Sequence, residues 1–312
     1  MTDQYATLVK KATLASTFVA TLLIISKLLA WIMTGSASML ASLTDSLMDV
    51  SASLINLFAV RYALQPADDE HRFGHGKAES LAGIAQSGFI AGSAILLLFN
   101  AADRLMNPMP LTQTYVGIGV TLLALLLTII LISYQAYVVK KTGSQAVKAD
   151  ALHYRSDLLL NVGVLIALVA SGFGLFWADG ALALVIGVYI LVSAGSIAVE
   201  SANTLMDKEL PEDEKQRIKE IVHGHDQVLG FHEFRTRQAG PTKFIQMHLE
   251  LPDDMSLRAA HQVADEVEKA LEDAFPGADV IIHQDPLSAS PPSSYLKPVA
   301  AKQNTSPPAQ SD

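Results

Sequence analysis

Long apolar runs dominate the first two thirds of the chain. Six of them reach the length of about 20 residues that a helix needs to cross about 30 Å of hydrocarbon. They lie at about 12–33, 38–64, 79–106, 113–139, 146–172 and 178–204. Each connection between them contains a glycine or a proline, which is typical of turns between helices. The pattern therefore predicts an α-helical membrane protein with six transmembrane helices over residues 1–208.

After Asp207 the pattern changes to the short periodic elements of a soluble domain. Helical and alternating spacings of apolar residues predict two helices and three strands. The helices cover about 211–224 and 256–274, and the strands about 227–238, 242–251 and 279–283. This order is most of a ferredoxin-like sandwich. We therefore expect a cytoplasmic α+β ferredoxin-like (metallochaperone-like) domain over residues 209–287.

The last part of the chain has no such periodicity. From Pro286 onward it holds 6 of the 13 prolines, together with Ser, Gln and Asn. Segments of this composition bury too little apolar surface to fold, so residues 288–312 are predicted to form a disordered tail.

Composition and charge agree with this division. Hydrophobic residues make up 50% of the chain and charged residues only 17%, which is too apolar for an ordinary soluble domain. Residues 1–208 carry 12 Lys and Arg against 13 Asp and Glu, whereas residues 209–312 carry 10 against 18. The chain has no Cys, so disulfides, thiol nucleophiles and thiolate metal sites are excluded. Any metal ligand must come from His, Asp, Glu or the backbone.

The basic residues near the span ends indicate the orientation of the chain. Most lie at the N-terminus or in the second and fourth connections, and Arg104 lies on the opposite side. The larger group comprises Lys10, Lys11, Arg61, Arg72, Lys77, Lys140, Lys141 and Lys148. Because cytoplasmic loops carry an excess of Lys and Arg, we expect both termini in the cytoplasm.

Two classes of ligand and one class of activity are disfavoured. The acidic balance without a basic block argues against nucleic acid. The segment Gly74–Lys77 lacks the first Gly and the final Ser or Thr of a phosphate-binding loop, which argues against nucleotide. The spans contain no His-Glu-x2-His run and no pair of nucleophile and base, so we expect no enzyme activity.

Ionisable residues inside the spans are the first candidates for function, because charges there are costly. Asp45 and Asp49 lie four apart in the second span, and His153 and Asp157 lie four apart in the fifth. This spacing places each pair on one helix face, and both pairs fall near mid-membrane. A lone Asp could simply be hydrogen-bonded to nearby Ser or Thr, but two pairs at matching depth favour a shared site. Three carboxylates and one imidazole suit a tetrahedral divalent ion, with Zn²⁺ the default and Cd²⁺, Fe²⁺, Co²⁺ or Mn²⁺ as alternatives.

Two further clusters are ambiguous from spacing alone. Asp68, His71 and His75 lie in the second connection, where an acidic loop with two His is more often solvated than metal-binding. The second cluster lies in the soluble domain and comprises His232, His248, His261, His283 and Asp285. These residues could be water-facing, or they could bind one or two ions and join two protomers if the polar sheet faces meet across a two-fold axis.

Together these features resemble the cation diffusion facilitator family. The resemblance rests on Asp45-x3-Asp49, His153-x3-Asp157, the six spans and the domain order, and it covers about residues 5–287. It implies that the four residues bind the transported metal and that the protein is a homodimer in the lipid bilayer of the cytoplasmic (inner) membrane. It also implies that proton influx drives metal efflux.

The same resemblance assigns the two ambiguous clusters. Asp68, His71 and His75 match the family's second metal site, in a loop. The family's binuclear zinc site at the cytoplasmic dimer interface is matched by His232, His248, His261, His283 and Asp285. Zn²⁺ is therefore expected both as cargo and as a structural or regulatory ion, with Fe²⁺ or Cd²⁺ as further cargo.

The predicted function is a proton-coupled antiporter that exports Zn²⁺ by alternating access. Its physical basis is that metal ligands must be deprotonated to bind, so protons and metal compete for the same groups. A passive divalent-cation channel could use the same carboxylates without proton coupling. A membrane metal sensor would bind ions in the soluble domain without transporting them.

Overall fold

A computed structural model describes residues 2–34, 37–107, 115–175, 177–291 and 295. The chain forms two compact units, which we name the membrane unit, Asp3–Leu205, and the C-terminal unit, Met206–Asp312. The membrane unit is helical and the C-terminal unit combines helices with a sheet. The predicted fold class is thereby confirmed.

The six predicted spans correspond to the six long helices of the membrane unit. These are α1 Thr2–Thr34, α2 Ala37–Ala63, α3 Ala78–Met106, α4 Tyr115–Thr142, α5 Gln145–Gly172 and α6 Ala178–Leu205. The helix bounds agree with the predicted spans to within a few residues, except that α1 begins ten residues earlier than predicted. Its first turns are helical because Tyr5 and Val9 pack against Val60 and Val138 in one buried cluster.

Four stretches of the described helices are long and apolar enough to cross a membrane. They are Gln4–Met33, Ala78–Met106, Gly119–Thr142 and Ala178–Leu205. The other two long helices, α2 and α5, carry the ionisable residues that the sequence marks as functional, and these lower their mean hydropathy. Polar groups inside a bilayer need partners from neighbouring helices, so α2 and α5 are the helices in which to look for a site.

Small residues bring α3 and α6 close together. A Cβ atom added at Gly187 would lie 2.9 Å from Leu98, and one added at Gly180 would lie 2.9 Å from Leu105. Small residues at such positions let helix backbones approach closely, which is how helices associate where water cannot drive packing. Leu152 of α5 packs into the same cluster as Ile90 of α3 and Ile190 of α6. This packing fixes the helix that carries His153 and Asp157.

The C-terminal unit has the predicted order of elements. They are α7 Glu212–Gly224, β1 Gly230–Ala239, β2 Thr242–Leu251, α8 Leu257–Ala274, β3 Asp279–Pro286 and a short 3₁₀ turn at Leu287–Ala289. The strand order is β1-β2-β3, with β1 antiparallel to β2 and β2 parallel to β3. β3 extends three residues beyond its prediction, to Pro286, and so brings Asp285 into the sheet beside Glu250.

The two faces of this sheet differ in character. Ile245, Met247 and Leu249 of β2 belong to one core cluster with Ile218 of α7 and Leu271 of α8. Because side chains alternate along a strand, His248 and Glu250 lie on the opposite face. The histidine face of the sheet is therefore the one turned away from the two helices.

The described part of the predicted tail is structured at its first residues, which include the end of the 3₁₀ turn, and at Tyr295. Tyr295 exchanges two backbone hydrogen bonds with Phe231 of β1, with N···O distances of 2.8 and 3.4 Å. Its ring stacks on that of Phe231 with 5.0 Å between centroids. Tyr295 thus pairs with the edge strand of the sheet, which the composition of the segment did not indicate. Residues 292–294 and 296–312 lie outside the described part of the chain, and their disorder stays a prediction.

Candidate metal centres

Each of the three predicted clusters has members whose ligand atoms all lie within 4.8 Å of one another. In the membrane unit they are Asp49, His153 and Asp157, and in the loop after α2 they are Asp68, His71 and His75. In the C-terminal unit they are His232, His248 and Asp285. The sequence separations inside these sets reach 108 residues, from Asp49 to Asp157, so folding is what assembles them.

The membrane centre joins α2 to α5 at one imidazole. His153 Nε2 lies 3.0 Å from Asp49 Oδ1 and 3.7 Å from Asp157 Oδ2. His153 is buried, and both carboxylates are partly buried. A cation that replaced the proton on Nε2 would find one nitrogen and two carboxylate oxygens around it. The predicted convergence of the two helices is thus present for these three residues.

The fourth predicted ligand of this centre, Asp45, lies in α2 one turn before Asp49. Its side chain lies outside the described part of the chain. Its role as a ligand therefore stays a prediction.

Tyr154, next to His153, connects α5 to two other helices. Its hydroxyl donates to the Ser16 carbonyl oxygen of α1 over 3.1 Å. Because that hydrogen is already donated, Ser53 of α2 donates to the Tyr154 oxygen over 3.0 Å. Tyr154 is 1% exposed, so these bonds are protected from water. They hold α5 against the helix that carries Asp49.

Asp150 is a buried carboxylate of α5 that is not among the residues predicted to be functional. Its Oδ1 accepts from Gln86 Nε2 of α3 at 3.2 Å, and its Oδ2 accepts from Gln135 Nε2 of α4 at 2.7 Å. It lies three residues before His153, so both side chains occupy neighbouring positions on α5. The spacing of three residues from His153 is the one feature of the sequence that indicates a role for Asp150. Its partners Gln86 and Gln135 are neutral and lie on other helices, so the sequence gives no indication of them. Asp150 therefore ties α5 to α3 and α4.

Removing the Asp150 carboxylate is expected to destabilise the membrane unit. In Asp150→Ala the Gln86 and Gln135 amides lose their acceptor, at about 1–3 kcal/mol for each buried unpaired group. We expect the unfolding midpoint of the metal-free protein in detergent to fall by several degrees. Asp103→Ala is the matched control, because Asp103 is exposed and its described side-chain bond is to Asn107 in the same helix segment. An equal change in both variants would contradict the role assigned to Asp150.

The loop centre is folded around Asp68. Its Oδ1 accepts from the backbone N–H groups of His71 at 2.7 Å and Glu70 at 3.0 Å. Mainly through the His71 bond, these contacts hold the pKa of the Asp68 carboxyl below its usual range. His75 Nδ1 donates to the Pro66 carbonyl oxygen at 3.2 Å, which directs Nε2 toward Asp68 Oδ2, 3.4 Å away. This convergence favours the metal-binding interpretation over a merely solvated loop.

Zinc binding at the loop centre is expected to weaken as pH falls from 7.5 to 5.5. Asp68 stays ionised over this range because its pKa is lowered, so the loss comes from His71 and His75. A histidine binds metal only through an unprotonated nitrogen, so protons compete with Zn²⁺ for each imidazole, which predicts a loss on the order of 10-fold for each His that binds. Competition between the protein and a chelator for Zn²⁺ would measure the affinity of the loop centre at each pH. The protein carries Asp49→Ala and His232→Ala, which remove ligands from the other two clusters.

The acidic residues of the loop provide matched variants for that measurement. Asp68→Asn is expected to weaken binding about equally at both pH values. Asp69→Asn is expected to change neither value, because Asp69 is exposed and pairs with Arg72. Zinc affinity that did not change between pH 7.5 and 5.5 would show that the two histidines are not ligands.

The centre of the C-terminal unit gathers three histidines around Asp285. His248 Nδ1 lies 2.8 Å from Asp285 Oδ2, His232 Nε2 lies 3.4 Å from the same oxygen, and His283 Nε2 lies 3.3 Å from Oδ1. The strand register explains this arrangement, because His232, His248 and His283 are paired across the three strands. One carboxylate can therefore bridge ions held by neighbouring imidazoles.

His261 is the one predicted ligand of this centre that does not lie near Asp285 within the same chain. It lies on α8, its side chain is 68% exposed, and Nδ1 is 3.3 Å from Asp265 of the same helix. The core face of α8 packs on the apolar side of the sheet, which separates its residues from the histidine face. Its role as a ligand stays a prediction, and it requires that His261 meet the histidine face of a second copy of the chain.

Comparison with known proteins covers both units. The model of the cation efflux transmembrane domain matches residues 13–206, and that of the cation efflux protein cytoplasmic domain matches residues 210–287. The chain is 54% identical over 291 residues to cation-efflux pumps FieF of Yersinia enterocolitica and Serratia proteamaculans, covering 93% of this chain and 97% of each relative. A solved chain of CzrB in its zinc form aligns at 37% identity, covering 27% of this chain and 98% of that chain, with a TM-score of 0.25.

Proposed function

The chain belongs to the cation efflux family, whose members move divalent metal ions across membranes, and we propose that it is a proton-coupled antiporter that exports Zn²⁺ from the cytoplasm. The observation that supports this most directly is the position of His153 between two carboxylates from two helices. Relatives carry the name cation-efflux pump FieF, and the imidazole and carboxylates of the membrane centre suit a metal cation as cargo.

Ligand chemistry supports a divalent transition metal as the cargo. One imidazole and two carboxylates, with Asp45 as the proposed fourth ligand, offer both nitrogen and oxygen donors. Zn²⁺ is bound tetrahedrally by such sets, whereas Mg²⁺ and Ca²⁺ prefer oxygen donors alone. Fe²⁺ and Cd²⁺ tolerate the same donors, so we propose them as further cargo.

Proton coupling follows from the same ligands. His153 binds metal through Nε2 only when that nitrogen is unprotonated, and Nε2 is also the atom that faces both carboxylates. An imidazole nitrogen binds either a proton or a metal ion, so it can exchange one for the other on each side of the membrane. Metal leaves when protons enter the site, and it binds again when they leave.

Alternating access requires α5 to open toward one side at a time. The Tyr154 and Asp150 bonds hold α5 to all four of α1, α2, α3 and α4. We propose that the site moves with this helix and faces the cytoplasm when it takes up Zn²⁺. We also propose that the protein lies in the inner membrane with both termini in the cytoplasm. The orientation rests on the basic residues, which cluster at the N-terminus and in the second and fourth connections.

The other two centres are proposed to sense cytoplasmic metal. The histidine face of the sheet is the surface that a second copy would meet, and we propose a homodimer joined there by Zn²⁺. Metal bound at this centre and at Asp68 can favour one arrangement of the dimer only if its affinity differs between the two states.

Metal flux into proteoliposomes, measured with an internal zinc-sensitive dye, tests the proposal. An antiporter gives zinc flux with opposite proton movement, a passive channel gives flux without it, and a sensor gives binding without flux. Either of the last two outcomes would overturn the proposed function.

A further inference from the structure

A fully buried carboxylate stands behind the histidines of the C-terminal unit. Glu250 lies on the histidine face of β2, and its side chain is 0% exposed. Its Oε1 lies 2.8 Å from His232 Nδ1. Its Oε2 is also buried and has no hydrogen-bond partner among the described residues. We propose that Glu250 is a positioning residue that sets the metal-binding nitrogen of His232, an inference that rests on the proposed metal centre.

The strand register explains why this contact forms. Glu250 pairs with Gly230 of β1 on one side and with Asp285 of β3 on the other. Gly230 has no side chain, so no side chain of β1 lies directly opposite Glu250. His232, two residues along β1, lies within reach of a long side chain at this diagonal position. The sheet therefore directs the Glu250 carboxylate toward His232.

The contact decides which nitrogen of His232 can bind metal. A carboxylate accepts hydrogen bonds, so Nδ1 carries the hydrogen that bridges to Glu250. In a neutral imidazole the lone pair then lies on Nε2. Nε2 is the atom that faces Asp285 Oδ2, at 3.4 Å. Glu250 thus presents the lone pair of His232 to the point where the other ligand atoms converge.

The energetic balance of the buried pair argues against an accidental contact. Burying a carboxylate is costly unless hydrogen bonds compensate for lost water. His232 is the described side chain that bonds to Glu250, and it is only 7% exposed itself. Histidines that bind metal commonly donate their other N–H to a carboxylate, and losing that partner lowers metal affinity by about 10–100-fold.

Glu250→Gln is the decisive variant, because it keeps the shape of the side chain. Alanine would instead leave a cavity beside an unpaired imidazole. A neutral amide can turn over and donate to Nδ1, which would place the hydrogen on Nε2. We expect a loss of zinc affinity at this centre of about 10–100-fold. The measurement uses the purified full chain with Asp157→Ala and Asp68→Ala, and competition between Zn²⁺ and a chelator.

Glu266→Gln is the matched control. Glu266 bonds to His225 at 2.9 Å in the same unit, but it is exposed, and His225 belongs to none of the three clusters. The control is expected to leave zinc affinity unchanged. The unfolding midpoint of the metal-free protein separates the two roles, because a merely structural Glu250 would lower this midpoint and leave the affinity of folded protein unchanged.

A third variant separates the failure of this inference from the failure of the proposed centre. If His232→Ala weakens zinc binding but Glu250→Gln does not, the positioning role of Glu250 is overturned and the centre stands. If His232→Ala leaves zinc binding unchanged, the centre itself is overturned, and the role of Glu250 with it.

Discussion

Asp49→Ala is expected to abolish zinc transport. Asp49 Oδ1 lies 3.0 Å from His153 Nε2, and this contact joins α2 to α5 at the membrane centre. The variant removes one of the three groups that surround the proposed metal position, and losing even a hydrogen-bond partner of a metal ligand lowers metal affinity by about 10–100-fold. Losing a ligand itself is therefore expected to lower metal affinity by at least about 100-fold. The measurement is zinc uptake into proteoliposomes at a concentration that half-saturates the unsubstituted protein.

Asp103→Ala provides the matched control for this loss. It removes an Asp from α3 that is exposed and lies outside all three clusters. We expect zinc uptake within twofold of that of the unsubstituted protein. Asp157→Ala should behave like Asp49→Ala, since its Oδ2 lies 3.7 Å from the same nitrogen. Normal uptake in either membrane-centre variant would rule out this cluster as the transport site.

His153→Gln is expected to remove proton coupling. Glutamine can still offer an oxygen to the metal, but it does not exchange a proton. With a pH-sensitive dye inside proteoliposomes, zinc entry should expel protons in the unsubstituted protein. The variant should show no such signal, and a pH gradient should no longer accelerate its residual zinc flux.

His225→Gln is the control for coupling, because His225 directly follows α7 in the C-terminal unit and bonds to Glu266. It should keep both zinc flux and the proton signal. Zinc flux without proton movement in the unsubstituted protein would identify a passive channel. Zinc-coupled proton movement that persisted in His153→Gln would assign the coupling to another group.

Much of the fold could be predicted because the bilayer imposes a length. Apolar runs of about 20 residues are visible in sequence regardless of how helices pack. The start of α1 was missed because its first turns are held by contacts of Tyr5 and Val9 with other helices. Tyr295 was missed for a similar reason, since its pairing with Phe231 depends on an open strand edge.

The parts of each metal centre that lie on one helix or strand could be predicted from the periodicity of that element. Spacing of four residues places His153 beside Asp157, and alternation places His283 beside Asp285, without knowledge of the tertiary fold. Partners from other elements have no such regular spacing. Gln86 and Gln135 around Asp150 are therefore visible only in three dimensions.

The sequence by itself determined the membrane class, the number of spans and the residues that bear the chemistry, because length, hydropathy and ionisable side chains are local properties. The tertiary structure decided how those residues are held. It places Glu250 behind His232, leaves His261 on the far helix and fixes α5 through Asp150 and Tyr154. These are consequences of packing and register, where each contact depends on the positions of segments far apart in the chain.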